Sequence, residues 1–192
     1  MESKEHTLSI LVENTPGVLS QVSRLFSRKG YNIDSIASGT TEDPKVTRIT
    51  IVMNGDDATI EQLAAQLRKL LCVISVKVLS TEDAVQRELV LVKVKAETKD
   101  KRDEVLQIVS VFRASVVDIS RETLTISILG DENKSGALMD LLADFGLMEV
   151  VRTGIIAIER GVRTIYEDTK ESGEFNYGKN VLLPGFFAKI VS

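Results

Sequence analysis

The chain has 192 residues, 43% of them hydrophobic and 27% charged, with a formal net charge of −4. That apolar content suffices for one medium domain or two small ones, and the acidic balance argues against nucleic-acid or acidic-membrane partners, which draw on a basic surface. The single cysteine, Cys72, closes no internal disulfide and builds no cysteine-rich metal site; within Leu70-Leu71-Cys72-Val73-Ile74 it reads as a small buried hydrophobe.

Residues 7–13 alternate Leu8, Ile10 and Val12 with smaller or polar side chains, the period of a strand. The turn Asn14-Thr15-Pro16-Gly17 follows. Val18, Leu19, Val22, Leu25 and Phe26 then recur at helical spacing until Arg28-Lys29-Gly30, basic residues and a glycine that stop a helix. Residues 32–38 read as a second strand and residues 46–53 as a third, separated by the turn Thr41-Glu42-Asp43-Pro44. After Asn54-Gly55-Asp56-Asp57, the positions Ile60, Leu63, Ala64, Leu67, Leu70 and Leu71 mark a second helix, and residues 73–79 a fourth strand. Strand, helix, strand, strand, helix, strand is the order of a ferredoxin-like sandwich, an antiparallel sheet with both helices on one face.

The order then repeats. Residues 88–96 read as a strand, Val105, Ile108, Val109 and Phe112 as a helix, and residues 115–120 and 123–129 as a hairpin around Arg121-Glu122. Leu138, Leu141, Leu142 and Phe145 mark another helix, and residues 149–158 a last strand interrupted by Gly154. The expected fold class is therefore α+β, two tandem ferredoxin-like βαββαβ domains over residues 1–80 and 81–163, joined by the polar stretch 80–87. Residues 164–192 form a tail whose run Val181-Leu182-Leu183-Pro184-Gly185-Phe186-Phe187 is apolar and needs something to pack on.

Catalytic machinery is hard to assemble from these residues. The only histidine, His6, lies near the N-terminus without partners and is expected to be solvated. There is no HExxH, no P-loop and no GxGxxG turn. The carboxylate pairs Glu42-Asp43 and Asp56-Asp57 fall in turns, where such residues belong for backbone reasons. Aromatics make up 5% of the chain and none lies on the third strand, which speaks against an RNA-binding sheet. No apolar run approaches membrane-spanning length, and the N-terminus lacks the apolar core of a secretory signal, so a cytoplasmic location is expected.

One segment invites a ligand: the strand-to-helix turn Glu13-Asn14-Thr15-Pro16-Gly17-Val18-Leu19, with Gly30-Tyr31-Asn32-Ile33 one helix later. Asn14 or Thr15 can cap the helix, and Pro16 suits its first turn. The amides of Gly17, Val18 and Leu19 would then point outward at the positive helix end, an arrangement that holds a small carboxylate. Asn32 offers both a donor and an acceptor. Taken alone, Asn-x-Pro-Gly is an ordinary turn.

The run ENTPGVLSQVSRLFSRKGYNIDSI resembles the opening of an ACT domain, the amino-acid-sensing module of metabolic regulators. With TEDPKVTRITI, RELVLVKV and the stretch from Gly154 to Gly161, it resembles the acetohydroxyacid synthase (acetolactate synthase) small subunit over about residues 7–161. The resemblance implies a non-catalytic regulatory subunit. Such a subunit activates a separate catalytic large subunit, to which thiamine diphosphate, magnesium and flavin belong, and itself carries no cofactor. It confers feedback inhibition by valine or another branched-chain amino acid. It also implies N-terminal domains paired edge to edge as a homodimer. Asn14, Gly17, Val18 and Leu19 of one chain would then face Asn32 and Ile33 of the other across the effector. Gln21 stands where the family often carries arginine, and the tail beyond Arg163 is long for the family. The alternative is a stand-alone ACT-domain sensor acting on a different enzyme or regulator.

Overall fold

The computed structural model describes residues 4–168. Two antiparallel sheets, each backed by two helices, give the α+β architecture of two ferredoxin-like modules. In the first, β1 (Lys4–Glu13), β2 (Ser35–Thr40), β3 (Val46–Gly55) and β4 (Val73–Leu79) lie in the order β2-β3-β1-β4. In the second, β5 (Ala84–Lys95), β6 (Ser115–Ile119), β7 (Thr123–Gly130) and β8 (Leu147–Arg152) lie in the order β6-β7-β5-β8, the same topology. The helices are α1 (Val18–Lys29), α2 (Asp57–Leu67), α3 (Lys99–Val111) and α4 (Glu132–Ala143).

Each module has its own apolar core. In the first, Val18, Val22, Leu25 and Phe26 of α1 and Ile60, Leu63 and Leu67 of α2 pack on Leu8, Ile10, Ile49, Ile51 and Val76. In the second, Val105 and Val109 of α3 and Leu138 and Leu142 of α4 pack on Val90, Val92, Leu124 and Ile126. Helix α1 ends as its sequence dictates. The Gly30 amide donates to Ser27 O at 3.2 Å and the Tyr31 amide to Phe26 O at 3.1 Å, a Schellman closure. Cys72 is buried beside this core, its thiol 3.5 Å from Gln21 Oε1.

Several boundaries differ from the sequence reading. Asn32 and Ile33 precede β2 rather than belonging to it, because the ladder with β3 opens only where the Asp34 amide reaches Val52 O at 2.9 Å. Leu71 is 98% exposed: α2 stops at Leu67, and the Lys69 and Leu70 amides turn back to Gln66 O and Leu67 O. His6 is not solvated. It is 8% exposed on β1, with Nε2 3.2 Å from Gly55 O. Its strand, from Lys4 onward, runs against the whole length of β3.

The largest difference lies at the junction. β5 begins at Ala84, and its first residues Ala84–Arg87 pair with a separate strand, β9 (Ile156–Glu159). Residues 80–87 are thus half strand, not a polar linker. The expected last strand is broken at Gly154, which holds φ 78° and sits so close to β2 that a Cβ there would lie 2.6 Å from Ser35 Oγ. Next to it the Ile155 amide donates to Ser35 Oγ at 3.1 Å.

The β5–β9 pair and a short 3-10 turn, η1 (Ile165–Asp168), therefore lie across the face of the first sheet that the helices leave open. Leu11, Val46 and Ile74 pack on Ile165, and Leu79 packs on Ala84 and Ala157. Lys77 and Glu159 form an ion pair at 2.7 Å, and Ser75 Oγ donates to Ile165 O at 3.0 Å. This explains why Thr7, Ser9 and Leu11, on the strand positions expected to face water, are also buried.

Tyr166 closes the seam by donating its hydroxyl to Glu42. Burial, then the bond to Glu42 and its charge, push the phenol from an ordinary value of 10.0 up to about 12. A raised folded-state pKa stabilises the fold below the unfolded value and is lost as pH rises through the folded one. The η1 contact is therefore expected to hold to pH 10 and to loosen between pH 10 and about 12. Ultraviolet titration of the phenolate, compared with Tyr166→Phe, should show the late-titrating group vanish in the variant.

Among the described residues, Glu88 is the buried charge of the second module's core. Glu88 is 3% exposed, accepts a hydrogen bond from the Ser135 hydroxyl and lies 2.9 Å from Arg152 Nη1. Arg152→Ala should lower stability by ~2–3 kcal/mol in urea unfolding, since it strands a carboxylate away from water. Replacing Glu88 and Arg152 together by methionine should be far milder, because no charge is then left unpaired.

Candidate functional site

The turn before α1 is built differently from the expected cap. The Val18 amide donates to Thr15 O at 3.3 Å, and Gly17 takes φ 84°, ψ −1°, the third position of a type II turn. A Cβ on Gly17 would meet nothing within 4 Å, so the glycine is there for its backbone angle and leaves open space above the turn. Asn14 does not cap the helix. Its Nδ2 donates to Pro44 O at 2.8 Å and its amide to Lys45 O at 2.7 Å, so it fastens the turn to the loop between β2 and β3. Thr15 does not cap it either: Gly17 takes the capping position, and α1 has no side-chain cap.

The electrostatic consequence is specific to this helix. α2, α3 and α4 are each capped by a side chain, from Asp56, Thr98 and Asp131, and carry Asp57, Asp100 and Glu132 in their first turns. The amide and hydroxyl of Thr59 hold the Asp56 carboxyl below its ordinary range. α1 has no acidic residue in its first turn. Of the three amides expected to point outward, that of Val18 is consumed by the turn. Those of Gly17 and Leu19, with that of Ser20, find no acceptor among the described residues. Leu19 is 44% exposed beside them, whereas the Val18 side chain is buried in the core.

Asn32 and Ile33 lie beyond the other end of α1, and a helix of 12 residues separates them from Gly17 by ~18 Å. One chain therefore does not bring the two halves of the expected site together. Asn32 is exposed, with Nδ2 on Asp34 Oδ1 at 2.9 Å, and Ile33 packs half-buried against the first core. Next to them β2 is an edge strand that, among the described residues, pairs only with β3. Sequence reasoning missed the apolar groove between β2 and the β5–β9 pair. No local signal marks it, because β9 reads as the continuation of β8.

One member of each carboxylate pair serves the backbone, as expected, while Glu42 accepts from Tyr166 and Asp57 lies 2.8 Å from Lys4 Nζ. Asp43 Oδ1 accepts from the Lys45 amide at 2.8 Å, and Asp56 caps α2. Among the described residues no cluster of His, Cys, Asp or Glu could hold a metal ion, and no helix is long and apolar enough to cross a membrane.

Comparison with known proteins matches both modules. Residues 8–75 match the family described as the AHAS small subunit-like ACT domain, and residues 87–161 the small subunit of acetolactate synthase. The probable acetolactate synthase small subunit of Methanothermobacter thermautotrophicus is 44% identical over 165 residues, covering 86% of this chain and 98% of that protein. The acetolactate synthase small subunit of Mycobacterium leprae is 46% identical over 160 residues, covering 83% and 94%. The crystal structure of the small subunit from Thermotoga maritima superposes with a TM-score of 0.76 at 41% identity, over 82% of this chain and 98% of that one. With both modules matched in order and the relatives spanned almost end to end, the chain belongs to the acetolactate synthase small-subunit family, and its first module is an ACT domain of that family's type.

Proposed function

We propose that this chain is the non-catalytic regulatory subunit of acetolactate synthase. It activates a separate thiamine-diphosphate-dependent catalytic subunit and lowers that activity when valine or another branched-chain amino acid binds. Thiamine diphosphate, magnesium and flavin belong to the catalytic partner in this reading. The observation that carries it is the start of α1, with its uncapped end, no acid in its first turn and outward amides at Gly17, Leu19 and Ser20.

An α-carboxylate at such an end gains ~0.3–1 kcal/mol from the helix field, plus the hydrogen bonds it accepts. Leu19 offers an aliphatic surface beside it. Asn32 and Ile33 complete the site from a second copy paired along β2, which would also satisfy an edge otherwise open to water. The roles of Asn14 and Val18 are indirect: one anchors the turn and the other seats it on the core. The second module has no equivalent turn, since α3 starts at a Thr98 cap followed by Asp100. Sensing therefore sits in the first module, and coupling runs through the β5–β9 seam or the dimer interface.

The test has two parts. Affinity purification of the tagged chain should bring down a catalytic acetolactate synthase subunit, and calorimetry with valine, leucine and isoleucine should show one of them binding at two equivalent sites per dimer. Binding of none of the three, or recovery of a different enzyme, would favour the stand-alone sensor.

A further inference from the structure

Between the open face of the first sheet and its cover of β9 and η1 lies a cavity of about 160 Å³. Leu79, Ile158 and Ile165 give it aliphatic walls, and Ser9 and Arg48 line it from the sheet. These two are diagonal neighbours on one face: Ser9 pairs with Thr50 on β3, and Leu11, two residues on, pairs with Arg48. A long side chain spans such a diagonal. Ser9 is 1% exposed, and its hydroxyl finds no hydrogen-bond partner among the described residues. Arg48 is half-buried and makes no hydrogen bond or ion pair with a described residue. The other charged and acidic groups at the cavity are matched. Glu159 holds Lys77 at 2.7 Å, and the Tyr166 hydroxyl donates to Glu42. What remains is one positive charge and one buried hydroxyl, a group that ordinarily has a partner. The apolar tail run, residues 181–187, lies outside the described residues.

We propose that this cavity binds a small monocarboxylate with a short aliphatic body. Its carboxylate lies between Arg48 and the Ser9 hydroxyl, and its body against Leu79, Ile158 and Ile165. Charge-assisted bonds to a guanidinium are among the stronger hydrogen bonds, and here both donors reach one carboxylate. The charge balance selects a simple anion over an amino acid, because Glu159, the carboxylate an ammonium group would need, is engaged by Lys77. The volume sets the size: an apolar cavity of about 150 Å³ takes benzene, so a guest of roughly six non-hydrogen atoms fits, the size of isobutyrate. The cavity is on the face of the sheet opposite α1, so it is separate from the amino-acid site proposed there and does not rest on that reading. A guest in it touches β1 and β3 of the first module together with β9 and η1, and tightens the seam through which the two modules meet.

The test titrates sodium isobutyrate, isobutyramide and valine into the full chain and follows the methyl signals of Leu79, Ile158 and Ile165 by NMR. Isobutyrate should shift them with a dissociation constant on the order of 1 mM, in keeping with so small a ligand. Isobutyramide, the same shape without the charge, should bind roughly ten-fold more weakly, and Arg48→Gln should weaken isobutyrate by about the same factor. Ser9→Ala should weaken it about three- to ten-fold. The same variant should leave the melting temperature of the unliganded protein unchanged or higher, since the hydroxyl it removes is unmatched. Excess valine should leave isobutyrate in place. The absence of any shift at ~50 mM isobutyrate would overturn the proposal. So would equal binding of isobutyramide, unchanged affinity in Arg48→Gln, or displacement by valine, which would make this the amino-acid site itself. The comparison of isobutyrate with isobutyramide is made on the wild-type protein, so it decides the matter whether or not the variants fold.

Discussion

Cutting the chain after Arg152 is expected to unfold the first module, although the cut falls in the second. The truncation leaves both helix-backed cores intact and removes β9 and η1. It thereby uncovers Leu11, Val46, Ile74 and Leu79, all 7% exposed or less, and deletes Ile165 and Ala157. Full burial of one such side chain is worth ~1.5–3 kcal/mol, so the lost cover over the four amounts to at most ~6–12 kcal/mol. That is comparable with the whole stability of a small domain, ~5–15 kcal/mol. The Lys77–Glu159 pair goes too. A fragment of residues 1–81 meets the same difficulty, so the separate cores do not guarantee separate folding. Ile165→Ala is the gentler version and should cost ~2–4 kcal/mol through the cavity it leaves. Urea unfolding followed by circular dichroism checks both. An unchanged midpoint for Ile165→Ala would show that the cover contributes nothing.

Gly17→Val should abolish effector sensitivity while sparing activation of the synthase. The left-handed angle at Gly17 is costly for any side chain, by ~1–2 kcal/mol, and worse for a β-branched one. No collision accompanies the change, since nothing lies within 4 Å of the added Cβ, so the helix and core should survive. The turn relaxes instead, swinging the Gly17 and Leu19 amides away from the position a carboxylate needs. A loss of ~2–3 kcal/mol in binding corresponds to an effector constant ~30- to 140-fold weaker. Asn32→Ala, which removes a polar group from the opposite side of the proposed site, should weaken binding about ten-fold. The measurements are calorimetric titration of valine and inhibition curves of the reconstituted synthase. Saturating valine should raise the melting temperature of the wild-type protein by mass action and do so less in either variant. Wild-type inhibition in Gly17→Val would remove the α1 turn from the site.

The sequence alone determined the two βαββαβ repeats, because periodicity reports burial directly. Leu8, Ile10 and Val12 had to face one side of a strand, and Val18, Val22, Leu25 and Phe26 one side of a helix. It also determined the turn at Gly17, since Pro-Gly at that position sets the backbone angle locally. Three things needed the tertiary structure. Asn14 is a helix cap by type, yet a carbonyl thirty residues away in sequence, that of Pro44, takes its side chain instead. His6 looked solvated because its neighbours in sequence are polar, but strand pairing surrounds it with β3. The stretch from Ala84 to Arg87 reads as a polar linker because no apolar face repeats in it: Gln86, on the inward side with Ala84, is polar and bonds Thr7 Oγ1, while Val85 faces the groove. Its pairing with β9, and the placing of both over the first sheet, are non-local choices. Local patterns encode which face of an element is apolar. What finally covers that face depends on where the chain returns, and here it returns from Gly154 onward, more than a hundred residues after β2.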